Sequence, residues 1–476
     1  MRGVDNTMTI NRRLPVTQKL GYGLGAIAYS LPNQVMASFF LFYATSILHI
    51  DSSIAGMIVA TSVLWDAVTD PWVGHISDRT FSERYGRRHL YLIIGGIGTA
   101  VGTALLWSIP SEESNFYKIT ALLMFVLFTK TALTFYGAPY FAIGGALSNG
   151  YDERSSVQSY RAAFHVLGMV IAAVGITMFF FKSTDSYPKG QLNPHVYPLI
   201  GYSVALITLL FSFIAVVLIP KDKTKPRESD LLQKINVLQS AINSLKNSNL
   251  RTIIFMIFLI EIAFQISISI GLHVSTYTYN LSGPQIGLIG ATILIFSLLS
   301  QPFWVYVSRK LEKKTALIIG MIFGVFGFAG LPMMFVGLGW LPLNDISTVP
   351  LMMGFSMLSG VGNGAFMSLP FSMVADTVDQ DEVITGMRQE GLYFGMYNFS
   401  YKSGISISVL LGGILLDYVG FDPTMPEQTA STAYNLAMVP MWMLIIISPI
   451  IYWSISKYQL SRKQHHNILR KLNVSK

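Results

Sequence analysis

The chain has 476 residues, of which 52% are hydrophobic and only 12% charged, with a formal net charge of +8 and a mean hydropathy of +0.50. Soluble domains carry about 25% charged residues, so this composition excludes an ordinary soluble domain and puts most of the chain in lipid. The absence of cysteine excludes disulfides, thiolate metal sites and cysteine nucleophiles.

In chain order, Arg12, Arg13 and Lys19 precede an apolar run too long for a cleavable signal, so the first helix is expected to stay. About twelve membrane-length stretches follow, centred on residues 22–48, 54–76, 90–110, 117–146, 160–181, 196–219, 252–280, 285–307, 315–337, 348–374, 389–417 and 431–455. Twelve transmembrane helices predict an all-α integral membrane protein with two six-helix bundles. The expected organisation is an N-terminal bundle over 1–219, a cytoplasmic linker over 220–251 and a C-terminal bundle over 252–476 with a basic tail.

Charge sets the orientation. With the N-terminus inside, the inner segments hold 27 of the 33 Lys and Arg, and the outer loops hold Lys118, Lys182 and Lys189. The remaining three, Lys130, Arg161 and Lys402, fall within helices. The positive-inside rule places both termini in the cytoplasm of a multi-pass protein, expected in the cell inner membrane. The positive charge follows topology, so a nucleic-acid partner is not expected.

Helix 2 carries Trp65-Asp66-Ala67-Val68-Thr69-Asp70-Pro71. Asp66 and Asp70 are four apart, on one helix face, and an ionised side chain mid-bilayer costs about 2.5–3.5 kcal/mol even on lenient scales. Two together call for a wet cavity and a neutralising cation. Lys402 supplies at most one positive charge, leaving a vacancy for a monovalent cation. Lys130 and Glu261 lie at similar depth in opposite halves and are expected to pair with each other or with opposite ends of a charged substrate. Aromatic residues such as Tyr393, Phe394 and Tyr397 read as packing. On the inner side, Asp78, Arg79, Arg87, Arg88, Asp152, Arg154, Asp376, Asp379 and Arg388 are expected to form gate salt bridges between the halves.

The repeat is faint: Pro71-Trp72-Val73 ends helix 2 and Pro302-Phe303-Trp304-Val305 ends helix 8, each before a basic turn. Such a plan is that of a transporter with parallel halves and a midplane site between them. Isolated histidines such as His75, His165 and His273 offer no metal spacing. No nucleophile elbow or zinc helix motif supports a membrane enzyme.

The ordered strings KLGYG at 19–23, WDAVTDP at 65–71, SDRTFSERYGRR at 77–88, APY at 138–140, DERSS with Arg161, MVADTVDQDE at 373–382, MRQEGLYFG at 387–395 and Lys402-Ser403-Gly404 carry a resemblance. The chain resembles the glycoside-pentoside-hexuronide:cation symporters of the major facilitator superfamily, the family of the bacterial melibiose carrier. The resemblance implies a cation-coupled importer of a sugar or glycoside. Asp66, Asp70 and Thr134 would be cation ligands, with Thr69 where the melibiose carrier has an asparagine, and Lys402 would be the charge partner. Arg161 would lie on the sugar side; Tyr29, Ser30 and Phe141 are further substrate-binding candidates, as are Lys130 and Glu261, which the family pattern does not explain. The coupling cation would be Na⁺ or H⁺, and no other cofactor is expected. Ser30 and Gly137 stand where the melibiose carrier has sugar-binding aspartates, and Phe141 replaces its tryptophan. These departures leave a lysophospholipid or another amphiphile as the alternative substrate.

Overall fold

The computed structural model describes residues 14–86, 88–147, 151–221, 244–339, 349–386 and 389–475. Among the described residues the secondary structure is helical apart from one isolated antiparallel bridge, Ser82–Gly86. Nine helices are long and apolar enough to cross a membrane, and a pair bent by 44°, Gly283–Leu299 with Gln301–Leu311, makes a tenth. Two further helices, Val16–Phe42 and Val349–Thr385, have 27 and 37 residues. Their glycine, serine and asparagine residues dilute their hydropathy, because both are packed inside the protein rather than facing lipid along their whole length.

Numbered by span, these are α1 (Val16–Phe42), α2 (Ser52–Arg79), α3 (His89–Leu106), α4 (Asn115–Ala146), α5 (Tyr151–Val170) and α6 (Val196–Leu218). The second set is α7 (Ser248–Ser269), α8 (Gly283–Leu299, continued by Gln301–Leu311), α9 (Lys313–Pro332), α10 (Val349–Thr385), α11 (Glu390–Tyr418) and α12 (Ala430–Lys457). A polar helix, α13 (Arg462–Ser475), follows. The twelve long segments occupy the positions expected from sequence.

Local chemistry sets the boundaries. The Asn247 side chain accepts from the N–H groups of Asn249 and Leu250 at the start of α7, and the Ser114 hydroxyl does the same for Tyr117 at the start of α4. These bonds satisfy donors that a helix start leaves open. Ser282 and Gln285 form a capping box on α8. The break in α8 coincides with Pro302, which has no N–H to continue the ladder.

Glycine lets helices touch within each half. A Cβ at Gly95 of α3 would lie 2.3 Å from the Tyr136 nitrogen of α4, and one at Gly362 of α10 would lie 2.3 Å from the Gly324 nitrogen of α9. Both are backbone approaches that only glycine permits. On the other side of α4, Tyr136 and Tyr140 donate to the carbonyls of Gly25 and Tyr22, locking α1 in place.

The two halves meet at one end of the bundles. Lys189 donates to the Thr276 carbonyl at 2.9 Å and to Asn280 at 2.6 Å, and Gln191 donates to the Thr276 hydroxyl and the Leu281 carbonyl. Burial pulls the Lys189 ammonium pKa below its ordinary value, with Glu427 opposing. Thr45 and His273 share a 2.8 Å hydrogen bond. Asp417, at the end of α11, accepts from the Ser52 and Ser53 N–H groups at 3.2 and 2.9 Å and from the Ser53 hydroxyl. It therefore caps the N-terminus of α2 from the opposite half. This face is closed.

Loss of that cap is expected to favour opening of this face. A helix cap contributes about 0.5–2 kcal/mol, so Asp417→Ala should shift the balance roughly 2- to 30-fold toward a form open on this face. Spin labels on cysteines introduced at Ser111 and Thr424, in this otherwise cysteine-free chain, would read a new long-distance population. An unchanged distance distribution would refute the capping role.

The expected linker at 220–251 falls mostly outside the described residues. Its side of the membrane is testable directly: cysteines at Ser186 and Ser229 should react with impermeant reagents from opposite sides, and labelling of both from one side would overturn the topology.

Candidate functional site

Helices α2 and α4 meet as a ladder. Trp65 Nε1 donates to Thr131 Oγ1 at 2.8 Å, Lys130 Nζ lies 3.7 Å from Asp66 Oδ2, and Thr134 Oγ1 donates to Asp70 Oδ1 at 2.8 Å. The two carboxylate rungs are four residues apart on both helices, one turn of each. From the other half, Lys402 Nζ of α11 reaches Asp70 Oδ2 at 2.5 Å. Asp66 is 7% exposed, whereas Asp70 and Lys402 are partly open to the space between the halves. The charges of Lys402 and Asp70 also act on Asp66, so all four groups form one electrostatic cluster.

This changes the charge count read from sequence. The vacancy expected beside Asp66 is taken by Lys130, and Lys130 is not the partner of Glu261. Depth along the bilayer made those two look like a pair. Rotation about the helix axes sends Lys130 toward α2 and Glu261 toward α11. Gln265 Nε2 lies 3.4 Å from Glu261 Oε2, and a Cβ at Gly404 would lie 2.6 Å from the Glu261 Cβ. Tyr397 and Tyr401 stand within the Glu261 field.

The donor set can be tested against an alkali cation. Asp66 Oδ1 is buried without a hydrogen-bond partner among the described residues, which is a feature of a cation ligand. Hard cations take oxygen ligands, and Thr134 and Asp70 stand one turn away. The Thr69 hydroxyl, however, donates to the Trp65 carbonyl of its own helix at 3.0 Å. The charge count decides the matter: two carboxylates already face two ammonium groups. An added alkali ion does not fit while Lys130 stays where it is.

On α5, Arg161 Nε donates to Gln158 Oε1 at 2.7 Å, and its guanidinium carbon lies 5.5 Å from the Phe141 ring centre. Phe141 is 39% exposed and meets Tyr29 edge-on at 5.1 Å. The Tyr29 ring lies against Gly137, where a Cβ would come within 2.6 Å of it. Lys130, Thr134, Gly137 and Phe141 thus form one stripe of α4 at helical spacing. His165 of α5 faces Tyr29 at 6.4 Å.

Ser30 is a correction. It is 2% exposed and packs against Gly168 of α5, where a Cβ would fall 2.1 Å from its hydroxyl oxygen. It belongs to the α1–α5 contact and not to the substrate surface. Tyr401, absent from the expected set, stands within the fields of Glu261 and Tyr29. Its one signal in the sequence is its place beside Lys402 and one turn after Tyr397.

The expected gate residues divide. Arg87 and Arg388, and the side chains of Asp78, Asp152 and Arg154, lie outside the described residues. Arg79 ends α2. Arg88 donates to the Ala142 carbonyl at 3.3 Å. Asp376 pairs with Lys313 at 2.5 Å and lies 3.6 Å from His465, which also meets Asp379 at 3.0 Å. Each of these contacts lies within one half.

The sequence matches the MFS/sugar transport protein family over residues 21–462. It is 24% identical to the symporter YnaJ of Bacillus subtilis (strain 168), covering 97% of this chain and 95% of that one. It is 25% identical to the sodium-dependent lysophosphatidylcholine symporter 1-B of Danio rerio, over 96% of this chain and 90% of that one. The fold is similar to the crystal structure of the nucleoside transporter NupG, with a TM-score of 0.66 at 12% identity, covering 94% of this chain and all of that one.

Proposed function

Because the chain belongs to the MFS/sugar transport protein family, we propose that it is a cation-coupled symporter importing a sugar or glycoside by alternating access. The family consists of transporters, so the chain is a multi-pass membrane transporter and not a membrane enzyme. The observation that carries the reading is the Asp70–Lys402 pair. It joins the two halves beside the cavity, and Thr134 holds the carboxylate from the other side. Such a pair can report to one half what the other has bound.

The choice of a sugar rests on the lining. On α5, Arg161 lies over Phe141 and is held by Gln158, and His165 faces Tyr29, while Glu261 and Tyr401 come from the second half. A polyhydroxylated ring suits several converging polar groups and one aromatic face. A bridging substrate touches both halves and so draws them together. Coupling is then a linkage: cation and substrate raise each other's affinity by the same factor. An amphiphile is the second reading, favoured by the likeness to the lysophosphatidylcholine symporter.

The 27-to-3 charge split supports, by the positive-inside rule, a reading with both termini in the cytoplasm, and we assign the protein to the cell inner membrane. The test is uptake into right-side-out vesicles across a panel of radiolabelled hexoses, pentosides and hexuronides and a radiolabelled lysophosphatidylcholine, with and without imposed ion gradients. Accumulation of a sugar is the expected result. Accumulation of the lysolipid alone would replace the substrate class.

A further inference from the structure

We propose that the Lys130 ammonium takes the place of an alkali cation at Asp66, so that residue 130 determines which cations this transporter accepts and makes it blind to Na⁺ and Li⁺. The inference deepens the symporter reading above and rests on it. Its ground is the cluster itself: Asp66 faces Lys130, Asp70 faces Lys402, and no negative charge is left over.

The two pairs differ in kind. Lys130 reaches Asp66 from α4, within the same half, and the α2–α4 ladder holds that geometry when the halves move. Lys402 reaches Asp70 from the opposite half, so that pair changes as the halves move. Lys130 is thus a fixed part of the N-terminal bundle, present in every state of the cycle.

Lys130 cannot easily leave. It lies 15 residues from the start of α4 and 16 from its end, at mid-helix, and half of a ~30 Å hydrocarbon core is about 15 Å. That is beyond the reach of a lysine snorkelling to the interface. An alkali ion arriving at Asp66 would meet a like charge at close range. At about 4 Å and an effective dielectric of ~20, such repulsion weakens binding roughly 10³-fold. The buried, unpartnered Asp66 Oδ1 is the seat that removal of the lysine would open.

The experiment titrates NaCl and LiCl against choline chloride into the full-length protein in lipid nanodiscs by calorimetry. Wild type should give no saturable heat at physiological concentrations. Lys130→Ala should gain a saturable Na⁺ site, tighter by roughly 10³-fold than any residual wild-type binding. Lys130→Ala with Asp66→Asn should lose it again, and Lys130→Arg should stay blind. A purely structural lysine would alter melting without creating a Na⁺ site, so melting is recorded alongside. If Lys130→Ala fails to fold, Lys130→Met takes its place. Saturable Na⁺ binding to wild type, or its absence from a folded charge-removed variant, overturns the proposal. Vesicle uptake separates this from the symporter reading. Sugar accumulation driven by membrane potential and pH gradient, indifferent to Na⁺, is expected, and a Na⁺ gradient driving wild-type accumulation refutes Lys130 exclusion. Accumulation under no ion gradient at all strikes the symporter reading and leaves the titration result standing.

Discussion

Asp70→Asn is expected to abolish accumulation while leaving the protein folded. One charge crossing ~100 mV with a neutral substrate contributes about 2.3 kcal/mol, enough for about fifty-fold accumulation at ~1.4 kcal/mol per tenfold. The variant should fall to about one-fold at equilibrium. The amide keeps the size of the side chain and can still accept from Thr134, so the α2–α4 ladder persists. What goes is the attraction that ties Lys402 of one half to the other. Both groups are partly open to the cavity, so the effect falls on coupling more than on stability. Exchange of labelled substrate across the membrane should survive, because it needs no net cation movement. Lys402→Ala should lose accumulation as well. The measurement is steady-state uptake in energised vesicles beside counterflow in the same preparation. Full accumulation by Asp70→Asn would place coupling elsewhere.

Arg161→Ala is expected to weaken substrate binding about 10- to 100-fold, the loss of one hydrogen bond to a charged group at about 1.5–3 kcal/mol. Gln158 orients this guanidinium and it lies over Phe141, so its planar fork is aimed before substrate arrives. Arg161→Lys keeps the charge but forfeits the planar, forked geometry and should recover only part of the affinity. Concentration dependence of counterflow measures this without involving the coupling cation. An alanine variant within two-fold of wild type would remove Arg161 from the substrate surface.

Much of this architecture is legible in the residues. Membrane-length runs mark the twelve segments, even for α1 and α10, whose polar residues lower their hydropathy. The spacing of Asp66 and Asp70 puts them on one face, and the family resemblance points to Thr134 and Lys402 as their companions. Rotation about a helix axis is the harder quantity. Lys130 and Glu261 sit at comparable depth, yet α4 turns one toward α2 while α7 turns the other toward α11 at Gly404. Ser30 illustrates the same limit, since its neighbour Tyr29 packs on Gly137 and Phe141 while Ser30 packs on Gly168. The inner charges pose a different problem. A gate partner depends on which face is closed, and composition says nothing about that.

The unequal provenance of the two carboxylate partners has a consequence for synthesis. Asp66 meets its lysine two helices later, from the same half, while the chain is still emerging from the ribosome. Asp70 must wait for a residue 332 positions downstream. Until α11 is inserted, the nascent N-terminal bundle holds one settled carboxylate and one unclaimed. The hydroxyl of Thr134, already in place on α4, is the group that shelters it in the interval. The Asp70 carboxylate is therefore claimed late in assembly, when Lys402 arrives on α11.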